Sequence, residues 1–253
     1  MNYVLITGAS AGIGEAFAHA LAAEKQNLIL VARREDRLAS LATKLSERFG
    51  VSVEVLAADL ATAEGAEKVV SAATSAGWKL AGLINNAGFG DRGRFSDLSL
   101  ERQLNMIQVN VTSLVALTWK LLPNLKVNRD SFIVNVASTA AFQAGPGMAI
   151  YYATKAFVLS FSEALHEELR GSGVAVSALC PGATASEFAA EANMADTRLF
   201  KAGTMSAEAV ATTALARRRN TIVIPGLRNR LMIGLGKFSP RLINRRLAGW
   251  LQA

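Results

Sequence analysis

Short runs of consecutive apolar residues alternate with stretches of helical spacing from the start of this 253-residue chain, and that alternation constrains its fold more than any other feature. Tyr3 to Ile6, Leu28 to Val31, Val51 to Leu56, Leu80 to Ile84, Phe132 to Val136, Val174 to Leu179 and Thr221 to Ile224 read as strands. Helical stretches lie between them near Ile13 to Lys25, Glu35 to Phe49, Ala63 to Ala76, Leu98 to Leu122, residues 149–170 and Ala207 to Ala216. A strand that is apolar on both sides must be covered on both sides, which is the situation of a parallel sheet with crossover helices. The pattern predicts an α/β fold, a doubly wound seven-stranded parallel sheet with helices on both faces. With 51% apolar residues, the chain can supply the core of one such domain over residues 1–226.

The first strand runs into Thr7-Gly8-Ala9-Ser10-Ala11-Gly12-Ile13-Gly14 and then a helix. Glycines let the backbone approach a pyrophosphate, and a helix N-terminus offers it free N–H groups and a positive dipole end. This is the logic of a Rossmann-like dinucleotide turn, although the spacing is G-x-x-x-G-x-G rather than G-x-G-x-x-G. The second strand ends at Val31-Ala32-Arg33-Arg34, where an acid would select the free ribose of NAD and arginine selects the 2′-phosphate of NADP. Two arginines predict NADP(H).

Further on stands Tyr151-Tyr152-Ala153-Thr154-Lys155, with Ser138 thirteen residues before the first tyrosine. The spacing of Ala153, Phe157, Phe161, Ala164 and Leu165 predicts a helix over 149–170, which places Tyr151 and Lys155 one turn apart on one face. An ammonium beside a phenol favours phenolate and is expected to lower the phenol pKa toward neutrality, as proton transfer to or from an oxygen requires. Tyr152 does not stand four residues before the lysine and is set aside.

Together these residues resemble the short-chain dehydrogenase/reductase family, of the NADP-preferring type, over about residues 2 to 225. Thr7 to Gly14 resembles the family's cofactor turn, Asn85-Asn86-Ala87-Gly88 its NNAG segment, and Cys180-Pro181-Gly182 its late proline-glycine turn. The resemblance implies that cofactor contacts come from Gly8, Ser10, Gly12, Ile13, Gly14, Arg33, Arg34, Asp59, Asn86, Ala87, Gly88, Tyr151, Lys155, Pro181, Gly182, Thr184 and Ser186. Asp59 matches the position that meets adenine, and Ser186 stands where many members carry threonine. Asn110, Ser138, Tyr151 and Lys155 match the catalytic tetrad. The implied roles are a substrate-oxygen donor for Ser138, the proton carrier for Tyr151, a ribose contact and pKa modulator for Lys155, and support of a water for Asn110. The implied activity is hydride transfer between NADP(H) and a small carbonyl or alcohol substrate. Phe188, Met194, Leu199 and Phe200, in the loop Ser186 to Met205, are expected to cover the pocket and favour an apolar one. A 3-oxoacyl carrier-protein reductase shares these motifs, and a non-catalytic NADP(H) sensor would keep the same fold. A homodimer or homotetramer is expected, and no nucleic-acid partner.

One cysteine, Cys180, rules out an intrachain disulfide, and His19 and His166 have no neighbours at metal spacing, so no metal site is expected. The N-terminus lacks a basic segment before its apolar run, and cytoplasmic residence is the expectation. The net charge of +7 belongs to one end: eight arginines and Lys237 lie from Arg217 onward with no acid, leaving −2 for the rest. Residues 227–253 alternate leucine, isoleucine, phenylalanine and tryptophan with arginine around Pro240, predicting two short amphipathic helices. Three roles suit such a tail: packing on the body or a second subunit, peripheral contact with an anionic membrane, and attraction of an acidic substrate or carrier. Packing is favoured, near the substrate entrance or a dimer contact.

Overall fold

The structure, a computed structural model, describes residues 2–252. Its elements run β1 (Asn2–Thr7), α1 (Gly12–Ala23), β2 (Asn27–Ala32), α2 (Glu35–Phe49), β3 (Val53–Ala57), α3 (Ala63–Ser75) and β4 (Lys79–Asn85). The second half continues with α4 (Leu100–Ile107), a π-helical segment (Gln108–Ser113), α5 (Leu114–Val127), β5 (Ser131–Val136), α6 (Ala149–Glu168) and β6 (Val174–Leu179). Then follow β7 (Thr184–Ala185), α7 (Phe188–Glu191), α8 (Arg198–Lys201), β8 (Met205–Ser206), α9 (Ala207–Ala216), β9 (Ile222–Val223), α10 (Leu227–Phe238) and α11 (Arg241–Gln252). Among the described residues the main sheet is seven-stranded, in the order β3-β2-β1-β4-β5-β6-β9, every pair parallel. The doubly wound expectation is met.

The alternation within each strand sorts the core into two layers. Val4 and Ile6 of β1 and Leu28 and Leu30 of β2 meet Phe17 and Leu21 of α1, Leu38 of α2 and Val210 of α9 on one face. Leu5, Ile29 and Val31 meet Val69 of α3 and Leu117 and Leu121 of α5 on the other. Strand order reverses at β1, whose neighbours are β2 and β4. In such sheets the crevice beyond the carboxyl ends at this reversal is where ligands bind.

Two expectations are corrected. The single helix expected over 98–122 is instead α4, the π-helical segment and α5, running from Leu100 to Val127. The wide turn contains Asn110, whose amide is committed to a loop backbone rather than to solvent. In α6 the apolar stripe read from the sequence faces the core only in part: Phe161 and Leu165 pack against it, but Ala153 and Phe157 are exposed, and the buried face is centred on Tyr151, Thr154, Lys155, Val158 and Ser162. Its polar members are buried because they line or support the crevice, a demand that hydropathy spacing does not register.

The tail forms the two expected helices, and α11 lies beside α8. The last carbonyls of a helix have no partner within it. Here two guanidinium groups serve them: Arg92 Nη1 donates to the Gln252 carbonyl at 2.8 Å and Arg198 Nη1 to that of Trp250 at 3.0 Å. Arg198 also lies 4.5 Å over the Trp250 ring.

Candidate active site

At the end of β1 the chain must turn tightly against the end of β4, and only glycine fits. A Cβ on Gly8, whose φ is +65°, would stand 2.9 Å from Ala87 Cα, and one on Gly14 would stand 2.2 Å from the Gly8 carbonyl oxygen. Thr7 Oγ1 accepts from the backbone N–H groups of Asn86 and Ala87 at 2.9 and 3.0 Å, and Asn86 Nδ2 donates to the carbonyls of Thr7 and Gly8 at 2.9 and 3.2 Å. The Asn86 side chain therefore fastens the glycine turn to the NNAG segment. No side chain caps α1, so its first N–H groups remain available at the crevice. Gly8, Ser10, Gly12, Ile13, Ala87 and Gly88 all line the crevice there.

The four tetrad positions converge on the ends of β4, β5 and α6. Lys155 is buried, and its Nζ donates to the Val136 carbonyl at 2.8 Å and lies 5.8 Å from the Tyr151 ring centre. Asn110 is fully engaged: Nδ2 donates to the Phe89 carbonyl at 3.0 Å and to Thr154 Oγ1 at 3.1 Å, while Oδ1 accepts from Phe89 N at 3.1 Å. Thr154 Oγ1 donates in turn to the Tyr151 carbonyl at 2.7 Å. Ser138 Oγ accepts from Ala140 N at 3.1 Å, and its side chain lies against Tyr151. Gly88 is required beside this group, since a Cβ would fall 2.9 Å from Asn110 Oδ1.

Burial sets the electrostatics. It lowers Lys155 from 10.5 to about 8, slightly opposed by the nearby Cys180. It raises the Tyr151 phenol above its ordinary value, a shift partly offset by Ser138. The expected lowering by Lys155 is not seen, because desolvation of the buried phenol dominates. Cys180, buried beside the site, is pushed up to about 12 by burial and stays a thiol.

At the other end of the crevice Arg33 is exposed and Arg34 half-buried, both on its rim, as is Asp59, whose Oδ1 accepts from Ala61 N at 3.0 Å. Arg34 donates from Nε and Nη2 to Ser10 Oγ at 3.2 and 3.1 Å, which ties the arginine to the glycine turn. Two residues that sequence reading missed complete the cluster. Glu187 accepts from Arg34 Nη1 at 2.7 Å and from Arg37 Nη1 at 2.6 Å, and the two guanidinium groups hold its carboxyl below the usual range. Arg37 lies one helical turn after Arg33 and Arg34, and that spacing was the available signal.

One continuous cavity of about 1040 Å³ joins these groups. Its walls include Ser138, Tyr151, Lys155, Pro181, Gly182, Thr184 and Ser186, and the expected cover residues Phe188, Met194, Leu199 and Phe200. Tyr152 also reaches the wall and accepts from Gln252 Nε2 at 2.5 Å. Residues of α10 and α11, among them Ile233, Leu235, Ile243 and Leu247, line the remainder. Among the described residues no group of histidine, cysteine and carboxylate side chains has metal-binding geometry.

A dinucleotide-type crevice with a buried Tyr-Lys pair and a serine at its floor defines an oxidoreductase that exchanges a hydride with a carbonyl or alcohol. Comparison with known proteins agrees: the family profile of short chain dehydrogenases matches residues 2–197, and the protein belongs to that family. It is 39% identical over 189 residues to a sulfoacetaldehyde reductase of Chromohalobacter salexigens, covering 73% of each chain. Among solved structures, a 7β-hydroxysteroid dehydrogenase superposes with a TM-score of 0.89 at 27% identity, over 98% of this chain and 96% of that one. A short-chain dehydrogenase from Sphingobium yanoikuyae in complex with NADPH gives 0.82 at 34% identity, over 95% and 97%.

Proposed function

We propose that this protein is an NADP(H)-dependent oxidoreductase in which Tyr151 exchanges a proton with the oxygen of a small, apolar carbonyl or alcohol substrate. The observation that carries the reading is the buried Lys155 ammonium, which has no carboxylate partner among the described residues and stands beside a buried phenol in the wall of the cavity. An isolated buried cation is expensive, and folds retain one where chemistry uses it.

The crevice fits the cofactor by its own construction: positions where any Cβ would collide, an uncapped helix N-terminus, and a cationic rim. Gly8, Ser10, Gly12, Ile13 and Gly14 would hold the pyrophosphate, with Arg33, Arg34 and Arg37 at the 2′-phosphate and Asp59 at adenine. Asn86, Ala87 and Gly88 would form the cofactor's floor, and Lys155 would meet the nicotinamide ribose. Pro181, Gly182, Thr184 and Ser186 would flank the carboxamide. Bound NADP(H) supplies or accepts the hydride.

The side chains divide the remaining work. Ser138, its oxygen already accepting from Ala140, directs its proton at the substrate oxygen. Tyr151, neutral because burial disfavours phenolate, is charged with a proton and gives it up as negative charge develops on that oxygen. Lys155 favours the phenolate left behind. Asn110 is a positioning residue that holds the Phe89 backbone and, through Thr154, the Tyr151 carbonyl. In this reading residues 1–226 are the catalytic domain and 227–253 an extension packed on it. Leu100, Leu104, Trp119 and Phe157, exposed on α4, α5 and α6, support a homodimer or homotetramer. NADPH oxidation against a panel of apolar ketones and aldehydes tests the reading: turnover that Tyr151→Phe abolishes supports it, and NADPH binding with no turnover on any of them refutes it in favour of a sensor.

A further inference from the structure

Helices α10 and α11 carry uncovered apolar surface together with unpaired positive charge. On α10, Leu227, Leu231, Leu235 and Phe238 follow at steps of four, four and three, one stripe of the helix, and all are exposed, Phe238 to 92%. On α11, Ile243, Leu247 and Trp250 form a similar stripe, each more than half exposed. The inner sides are already docked: Ile233, Ala248 and Gln252 are buried. The outer stripes are therefore a second apolar face. Arg228, Arg230, Arg241, Arg245 and Arg246 are exposed around them, no acid occurs between Leu227 and Gln252, and among the described residues none of these arginines is in a salt bridge.

Charge selects the occupant. A second copy placed face to face would bring five arginines against five with no carboxylate on either side, which opposes association. An anionic bilayer answers both features, with lipid phosphates at the arginines and acyl chains beneath the leucines. The cavity adds a positional argument. Leu235, Ile243 and Leu247 are exposed and also line the 1040 Å³ cavity, so its mouth opens within this face. A folded partner seated there would plug the mouth, whereas a fluid lipid interface leaves it open. We propose that α10 and α11 dock the protein on an anionic membrane surface with the cavity mouth toward lipid, so that lipophilic carbonyl or alcohol substrates enter from the membrane. The entry route rests on the oxidoreductase reading above; the docking does not.

The test uses the full-length protein and vesicles of phosphatidylcholine with or without phosphatidylglycerol, read by co-sedimentation. Binding is expected only with phosphatidylglycerol and is lost at 1 M salt, where the screening length falls to about 3 Å. At about 1 kcal/mol per arginine, Arg241→Gln, Arg245→Gln and Arg246→Gln together weaken binding on the order of 100-fold. Phe238→Ser weakens it separately, and neither variant changes the melting temperature. Turnover of a long-chain ketone rises with anionic vesicles in the unmodified protein but not in the triple variant, while a short water-soluble ketone is indifferent. Equal binding to both vesicle types or to neither overturns the docking, as does capture by polyglutamate alone, or a Phe238→Ser variant that only splits a dimer. Vesicle binding with no ketone turned over would leave the docking standing and refute the oxidoreductase reading together with the entry route.

Discussion

Replacing Lys155 with methionine gives a quantitative test of the electrostatics of the site. Burial lowers the lysine from 10.5 to about 8, so between those values the folded chain holds fewer protons than the unfolded one. For a group with a depressed folded pKa, stability is intact above the unfolded value and is lost as pH falls through the folded one. From pH 9.5 down to pH 7, at 1.36 kcal/mol per unit, that loss amounts to about 2 kcal/mol. Methionine keeps the chain length and does not titrate, so its stability lacks this dependence. The hydrogen bond from Nζ to the Val136 carbonyl disappears in the variant, but a neutral amine also donates, so its loss is nearly the same at both pH values and cancels. Urea unfolding of both proteins at pH 9.5 and pH 7, without cofactor, measures the effect. The stability of Lys155→Met relative to the unmodified protein should be greater at pH 7 than at pH 9.5 by about 2 kcal/mol. A difference independent of pH, or of opposite sign, would show that the ammonium is not desolvated as described.

Tyr151→Phe should lower turnover on the order of 10² to 10⁴-fold with little change in the dissociation constant for NADPH, because only the proton is lost; Tyr152→Phe, read in the same assay, should be much milder. Arg34→Ala should weaken NADPH binding on the order of tenfold while sparing NADH, since a charge-assisted bond to the 2′-phosphate is lost. Titration of both cofactors checks this, and equal losses for the two would contradict it. Glu187→Gln should tighten NADPH binding, because the carboxylate competes for the guanidinium groups that the phosphate needs; unchanged affinity would show that the cluster opens freely. Gly14→Ala should cost about 1–3 kcal/mol or more in unfolding free energy, since its Cβ would meet the Gly8 carbonyl at 2.2 Å in a turn that cannot retreat from β4.

The sheet was legible because continuous apolar strands and short connections dictate parallel pairing, and all seven strand positions fall within one or two residues of expectation, although the last, β9, is only Ile222–Val223. The glycine turn was legible for a related reason, since a strand running into glycines and then a helix has few other uses. The π-helical turn at Asn110 was not. Its stabilisation comes from the Phe89 backbone, 21 residues away, and from Thr154, 44 away, and no spacing within the helix announces either partner.

The reading of α6 shows where pattern and chemistry part. Periodicity selected the Phe157 and Phe161 side as the core face, and those rings stack on each other with centroids 5.9 Å apart while Phe157 stays exposed. The Tyr-x-x-x-Lys spacing selected the opposite side, which is the buried one. A helix with Ala153 and Phe157 on its outer side and a lysine, a threonine and two tyrosines buried beside Val158 and Leu159 has its hydropathy partly inverted by function, so the chemical motif located the buried face better than the apolar stripe did. The tail repeats the inversion at larger scale. Its exposed apolar residues face outward only, as Leu227 and Phe238 do, or both face outward and line the cavity, as Leu235, Ile243 and Leu247 do, and the contacts that seat it join Arg92 to the Gln252 carbonyl across 160 residues. Local sequence therefore predicts the two helices and their charge, while the contacts that seat them come from Arg92 and Arg198, both distant in sequence.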